Sequence, residues 1–427
     1  MDFNVKSYGA LGDGKAFDTQ AIQSAIDACT NAGGGRVVIG GGTYLTGTIV
    51  LKENVNLHIE ADAVLRASSN VEDFPEFPKK HVDVNKLPRF QGAAMIFAEE
   101  CANISITGKG TIDANGYAFV EECEPYHSGW RYRRINKATL PRVVFFTGCK
   151  NILVEDITMI NSPAGWSYWI HDCDFVNFDK IKILCSLEFP NNDGIHINSS
   201  RDVTVSNCFI STGDDSIIIR AANRSLEKPK ICERITITNC TLKSRTNAVR
   251  IGWIGDGTIR NCTLSNLCID ETRMGIAIML PKFKGNNMDD ILSYKSESGE
   301  PKPDGMSDFG LQKTLIENIS FSNITMSNIY LRPILIKIDD SETTPCEAIR
   351  NLYFNHIYAQ ALGFPLIIGR DNCLVQNIKF NDCDFRKVQP AQLTYYVEGI
   401  LKNSPQYLLK YAENVAFNNT TFSSEGQ

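Results

Sequence analysis

The chain is predicted to be all-β and to fold as a single right-handed parallel β-helix of about ten coils with an N-terminal capping helix. Three observations predict this. From residue 45 onward the sequence breaks into short segments of alternating apolar residues, the period of strands rather than helices. A phrase of the form apolar-x-apolar-x-Asn recurs, as VTVSN (203–207), ITITN (235–239) and ISFSN (319–323), with variants ISITG (104–108), ILVED (152–156), IKFND (378–382) and VAFNN (415–419). Cysteine keeps register with that phrase: Cys101, Cys149, Cys173 and Cys232 lie seven residues before its last position, and Cys208, Cys240, Cys262 and Cys383 one residue after it.

The last residues of the phrase are Gly108, Asp156, Lys180, Asn207, Asn239, Asn261, Asn323, His356, Asp382 and Asn419. Eight of these ten are Gly, Asn or Asp, the types that enter the left-handed conformation most readily, so a bend with φ > 0 is expected once per coil. Successive separations of 24, 27, 32 and 22 residues from Asp156 to Asn261 set the length of a coil.

At the N-terminus, residues 1–44 form the cap region. Residues 4–17 read as a strand and a glycine-rich turn, after which Asp18 can cap a helix running to Asn31 with Ala21, Ile22, Ala25, Ile26 and Cys29 on one face. Gly33–Gly35 stops it and Arg36–Ile39 is a strand. The glycine clusters lack the strand–GxGxxG–helix order of a phosphate cradle and serve as turns. Each later coil carries a second strand: 94–97, 143–146, 167–170, 193–198, 215–220, 247–252, 275–279, 334–338 and 365–369. Stacked, these make one continuous sheet face. Residues 114–140, rich in aromatic and basic groups, and 282–310, polar with two prolines, exceed the coil length and are insertions into one domain spanning 1–427.

A net charge of −6 and a pI near 5.7 give no attraction to nucleic acid or an anionic membrane. The first ten residues lack the charged and apolar regions of a signal peptide, so the expected location is the cytoplasm, or the chain is the mature form of a secreted protein. Fourteen cysteines without a CxxC exclude a zinc ribbon, and their register predicts a reduced interior ladder rather than disulfides.

The chemistry is expected in NNDGIHINSSRDVTVSNCFISTGDDSIIIR (191–220), which carries Asp193, Asp214 and Asp215. The 21-residue spacing between Asp193 and Asp214 is close to one coil, which would lay these groups on adjacent rungs. Clustered carboxylates raise the pKa of at least one member, as acid–base work requires. Alternation sends His196 and Asn198 outward beside them, and Arg250 outward two strands on, with Arg220 ending the strand between; His196 is read as a substrate contact or a surface histidine, and Arg220 and Arg250 as substrate contacts or as ion-pair partners of the aspartates. His171, with Trp166 and Trp169, is a further sugar subsite or core. Tyr126, Trp130, Arg131 and Arg133 are placed as a cleft wall, and Asn103, Asn151, Asn318 and Asn377 as turn residues.

VKSYGALGDGKAFDTQAIQSAIDAC, TYLTGTIVLKENVNLHIEADAVL, ITGKGTIDANG, NSPAGWSYWIH, NNDGI and TGDDSI together resemble glycoside hydrolase family 28, the polygalacturonase-like β-helix enzymes, over roughly 4–265. The resemblance implies that Asp214 is the general acid and that Asp193 and Asp215 activate a water for inversion; that chemistry calls for carboxyls roughly 6.5–9.5 Å apart. Where the family carries H-G, this chain has Asn247-Ala248, and where it carries R-I-K it has Gly275-Ile276-Ala277 followed by Ile278-Met279. In the family those basic groups grip the carboxylate of galacturonic acid, so the resemblance implies a glycosidase on a pectin-type or other plant-wall oligosaccharide that is not a standard polygalacturonase, taking a neutral sugar or an acid held by Arg250; the missing secretion signal points to exo action on imported oligosaccharides. The expected partner is an oligosaccharide, bound through His171, His196, Arg220, Asn247 and Arg250, with no metal or cofactor. Two other readings stand beside it. A lyase or epimerase would use Arg220 or Arg250 as base and the aspartates to hold Ca²⁺, and a non-catalytic β-helix would only bind glycan.

Overall fold

A computed structural model describes the chain except for residues 77–78, 88–91, 127, 136–141, 164, 282–311, 340–343, 394–407 and 425–427. The second predicted insertion, 282–310, therefore lies outside the described residues. Thirty strands form one continuous parallel system wound as a right-handed β-helix. Its sheet face rises in ten rungs from Ala94–Glu99 through Arg142–Thr147, Tyr168–His171, Ile195–Asn198 and Ile217–Arg220 to Leu409–Lys410, each paired in parallel with the next.

Inward residues stack in columns. Ile96, Val144, Tyr168, Ile195, Ile217, Val249, Ile276 and Ile334 make one, and Phe146, Ile170, Ile197, Ile219, Ile251, Ile278 and Ile336 another; none is more than 1% exposed. Each such side chain contributes about 1.5–3 kcal/mol of burial, repeated along the coil axis. Phe321, Phe354, Phe380 and Phe417 continue the pattern as a stack with centroid spacings of 4.7, 4.8 and 5.0 Å.

All ten bend residues have positive φ, from 45° at Asn419 to 107° at Gly108. There are two bend ladders, however. Asn239 is followed on the next coil by Asn266 (φ 55°), 27 residues on, and Asn261 belongs to the other ladder, with Asn103, Asn151, Asn318, Asn351, Asn377 and Asn414. In that ladder asparagine side chains bond to one another from coil to coil, as from Asn151 to Asn103 and from Asn377 to Asn351. Cys262 accordingly stacks between Ile235 and Ile319 and not with Cys240. All fourteen cysteines are free, and Cys101, Cys149 and Cys173 stack in register.

The helix Thr19–Asn31 buries Ile22, Ala25, Ile26 and Cys29 against the first coil. Asp18 precedes it without capping it: its carboxylate instead accepts from the backbone of Leu11 and Gly12, tying down the glycine turn. The first predicted insertion is a hairpin, Val120–Tyr126 with Trp130–Arg134. No helix among the described residues is long and apolar enough to cross a membrane.

Candidate active site

Coil length places the carboxylates. Ile195 pairs with Ile217, a repeat of 22 residues, so the register mate of Asp193 is Asp215 and not Asp214. Ser167 N donates to Asp193 O, Gly194 N to Asp215 O and Ser216 N to Asn247 O, which stacks Trp166, Asp193, Asp215 and Asn247 on successive rungs. Asp214 enters the same space from the preceding turn. That turn is held by Asn192, whose Oδ1 accepts from Gly213 N (2.7 Å) and Asp214 N (3.1 Å). Gly213 is required there, since a Cβ would meet Phe189 O at 2.1 Å. Asn191 donates its backbone and side-chain N–H to Asp214 Oδ2 at 3.2 and 3.1 Å.

The three carboxylates each put an oxygen within 4.8 Å of the others. That bound is between one oxygen of each side chain, whereas the roughly 6.5–9.5 Å that leaves room for a water is a separation of whole carboxyl groups. Equivalent places on neighbouring rungs are only about 4.8 Å apart, which explains the short spacing. Burial, then the charges of Asp193 and Asp215, push the Asp214 carboxyl well above the usual range. Asp215 Oδ1 accepts from Thr246 Oγ (2.6 Å) and from the Asn247 amide, and Asp193 Oδ2 from His196 Nε2 (2.9 Å). A divalent cation at this cluster would compete with those donors and with the Arg250 guanidinium.

The remaining predicted residues divide. His196 lies outward but only 4% exposed, its ring 3.6 Å from that of Trp166 and nearly parallel; burial, then the Arg142 charge, holds it well below the usual histidine range, so it is neutral. Trp166 itself has φ 64°, a strained backbone for a bulky residue. Arg250 Nη1 is 3.9 Å from Asp215 Oδ2, its guanidinium lies 3.9 Å over the Trp253 ring, and its buried Nε and Nη2 have no hydrogen-bond partner among the described residues. Arg220 is taken up by Asp256 in a two-pronged pair at 2.6 and 2.8 Å, so it is neither base nor substrate grip. His171 is sealed: Asn198 donates to its Nδ1, its Nε2 donates to Ser225 Oγ at 2.7 Å, and burial lowers its pKa to about 4. Trp169 stacks on Phe145 at 4.2 Å as core, capped by Val82 and Leu87.

Sequence reasoning missed three contributors. Thr246 bonds both Asp214 and Asp215, and Asn192 sets the turn. Arg273 lies near enough to Asp215 to feel its charge and donates to Ser128 Oγ of the hairpin. Of the wall residues placed from the sequence, Trp130 donates its Nε1 proton to Gly213 O at 2.6 Å, so the hairpin is anchored on the turn that carries Asp214. Tyr126 also senses Asp214, while Arg131 and Arg133 pair with Glu188 and Glu121. Only the aromatic spacing of 126–132 could have signalled the anchor.

The family model for glycosyl hydrolases family 28 matches residues 29–287, more than half of the chain. A probable polygalacturonase of Vitis vinifera is 24% identical over 304 residues, 67% of this chain and 59% of that protein. The exo-poly-alpha-D-galacturonosidase of Dickeya chrysanthemi is 25% identical over 310 residues, 64% of this chain and 51% of that one. The chain thus spans between half and three fifths of these relatives' lengths. The hyperthermoactive exopolygalacturonase of Thermotoga maritima superposes with a TM-score of 0.72 over 99% of this chain and 92% of that one at 20% identity, a likeness of fold.

Proposed function

Since this chain belongs to glycosyl hydrolases family 28, we propose that it is an inverting, exo-acting glycosidase that removes a terminal uronic acid from a pectin-type oligosaccharide. The observation that carries this reading is the convergence of three aspartates, of which the half-buried Asp214 has its carboxyl pushed well above the usual range by its surroundings and by the charges of the buried Asp193 and Asp215, while those two accept from His196, Thr246 and Asn247. Asp214 protonates the glycosidic oxygen. Asp193 and Asp215 are each pinned by donors, which weakens them as nucleophiles and suits them to hold and deprotonate a water.

A carboxylated sugar is supported by Arg250: buried guanidinium N–H groups without partners are costly, and a carboxylate matches them in charge and geometry. This replaces the grip that Asn247, Ala277 and Met279 do not supply. Exo action is supported by residues 79–87, which strap over the sheet face upstream of the aspartates. Val82 and Leu87 pack on Phe97, Phe145, Trp166 and Trp169, His81 pairs with Asp172 at 2.7 Å, and Asp83 N donates to Ser225 O.

The test is digestion of oligogalacturonides of defined length, with product sizes followed by chromatography and the anomer by NMR. Monosaccharide released from the first time points, in inverted configuration, is the expected result. Mid-chain products would overturn exo action, a retained anomer would overturn the water mechanism, and ultraviolet-absorbing products would place the chain among lyases.

A further inference from the structure

Arg250 carries donors that its neighbours leave unused. Its Nη1 lies 3.9 Å from Asp215 Oδ2, whereas Nε and Nη2 are buried with no hydrogen-bond partner among the described residues. Nε–H and one Nη2–H run along a single edge of the guanidinium plane and form a two-pronged donor. Arg220, on the rung before, shows what such an edge takes: the same two atoms hold both carboxylate oxygens of Asp256, at 2.6 and 2.8 Å. An edge of this kind grips a carboxylate well only when its plane is fixed beforehand. Among the described residues no hydrogen bond fixes Arg250, since 3.9 Å is beyond hydrogen-bond reach. What fixes it is the Trp253 ring, whose centroid lies 3.9 Å from the guanidinium carbon.

The ring is itself held. Gly252 (φ 82°) turns the chain at the end of the strand with its N–H on Ile219 O, and the next N–H, that of Trp253, donates to Asp256 Oδ2 at 3.0 Å. Asp256 is fully buried and is the same carboxylate that takes Arg220. One anion thus sets both arginines, the first by direct pairing and the second through the ring. The two arrangements differ in what they leave over. A carboxylate partner consumes the Nε–Nη2 edge, as Asp256 does for Arg220, while an aromatic face fixes the plane and consumes no donor. We propose that Trp253 is a positioning residue for sugar recognition, holding Arg250 flat so that its Nε–Nη2 edge stands ready for the carboxylate of the terminal sugar. The proposal rests on the uronic acid reading given above.

Trp253→Leu keeps apolar bulk and removes the aromatic face; Trp253→Phe keeps a face. Both are made alone, and Trp253→Leu also together with Arg250→Gln. The readouts are calorimetric binding of galacturonate and of its methyl ester, which needs no turnover, and kcat and KM on trigalacturonate. Trp253→Leu is expected to weaken galacturonate binding and raise KM about 5- to 30-fold, with a smaller change in kcat and little change in binding of the ester. Trp253→Phe restores most of the loss. In the Arg250→Gln protein the leucine change costs nothing further, because the plane it would release is gone. Should Trp253→Leu not fold, Trp253→Met carries the same readouts. Equal weakening of acid and ester, losses that add to those of Arg250→Gln, a phenylalanine variant as impaired as the leucine one, or unmoved binding would each overturn the proposal. Arg250→Gln alone separates the two readings. If it abolishes the preference for acid over ester while Trp253→Leu keeps it, only the role of Trp253 falls. If the unaltered protein binds acid and ester alike, or Arg250→Gln leaves their ratio unmoved, the uronic acid reading falls with it.

Discussion

Upstream and downstream of Arg250, one sheet face carries opposite chemistry. From Trp169 the outward row runs His196, Ile218, Arg250, then Ala277, Leu335 and Leu366. The upstream rungs crowd three carboxylates, Asn247 and Arg250 into a buried polar cluster, whereas downstream Met274, Leu335 and Leu366 pack as an apolar patch with Met279, Leu331 and Ile368. The backbone is the same in both, so the difference lies in what each rung leaves unsatisfied. The upstream cluster holds a proton against its preference and leaves guanidinium donors unmatched, while the downstream patch is complete in itself. The proposed function thereby draws on three or four rungs of a molecule whose fold repeats throughout.

The largest way to break that contrast is Asp214→Asn. Loss of the acid is expected to lower kcat about 10²- to 10⁴-fold, read by reducing-end release. The same change should stabilise the fold. Asp214 has a raised folded pKa, so its contribution to stability is full below the unfolded carboxyl pKa and is lost as pH rises toward the folded one. The advantage of the asparagine variant in thermal unfolding should therefore grow with pH over that window. The same raised pKa sets the basic limb of activity, which falls as pH rises through it.

Arg250→Gln removes the proposed carboxylate grip. A loss of about 10- to 100-fold in kcat/KM on oligogalacturonides is expected, with little loss on any neutral glycoside the enzyme accepts. Equal losses on both would mean that Arg250 only supports Asp215.

A smaller effect concerns the upstream strap. The Asp172 carboxylate beside His81 raises its pKa, so the strap is held fully below the ordinary histidine range and loosens as pH rises through the folded value. Amide exchange over residues 79–87, corrected for intrinsic rate, should speed up across that window by a factor matching about 1 kcal/mol, and His81→Ala should abolish the dependence.

The smallest is Met279→Lys, which puts a charge on the downstream patch. An exposed pair contributes about 0–1 kcal/mol, so KM for longer oligogalacturonides should fall at most a few-fold. A tenfold fall would show that the downstream face binds acidic sugar and would erase the contrast.

The coil, the bends and the three aspartates that cluster were legible in the sequence because each is a local, one-dimensional signal. An apolar residue at every second position needs burial, a φ > 0 bend needs Gly, Asn or Asp, and the turn-borne aspartates of NND and GDD, about one coil apart, need a reason. Register was not legible. It depends on the summed length of every turn, so a repeat of 22 rather than 21 residues exchanged Asp215 for Asp214 as the partner of Asp193, and Asn266 for Asn261 in the bend ladder. Partners from distant coils were equally hidden: Asp256 claims Arg220, Ser225 closes His171, and Thr246 joins the two aspartates. Which side chains remain free for a sugar is settled only after such non-local bonds are made, because each guanidinium or imidazole bonds to whatever the neighbouring coils bring within reach.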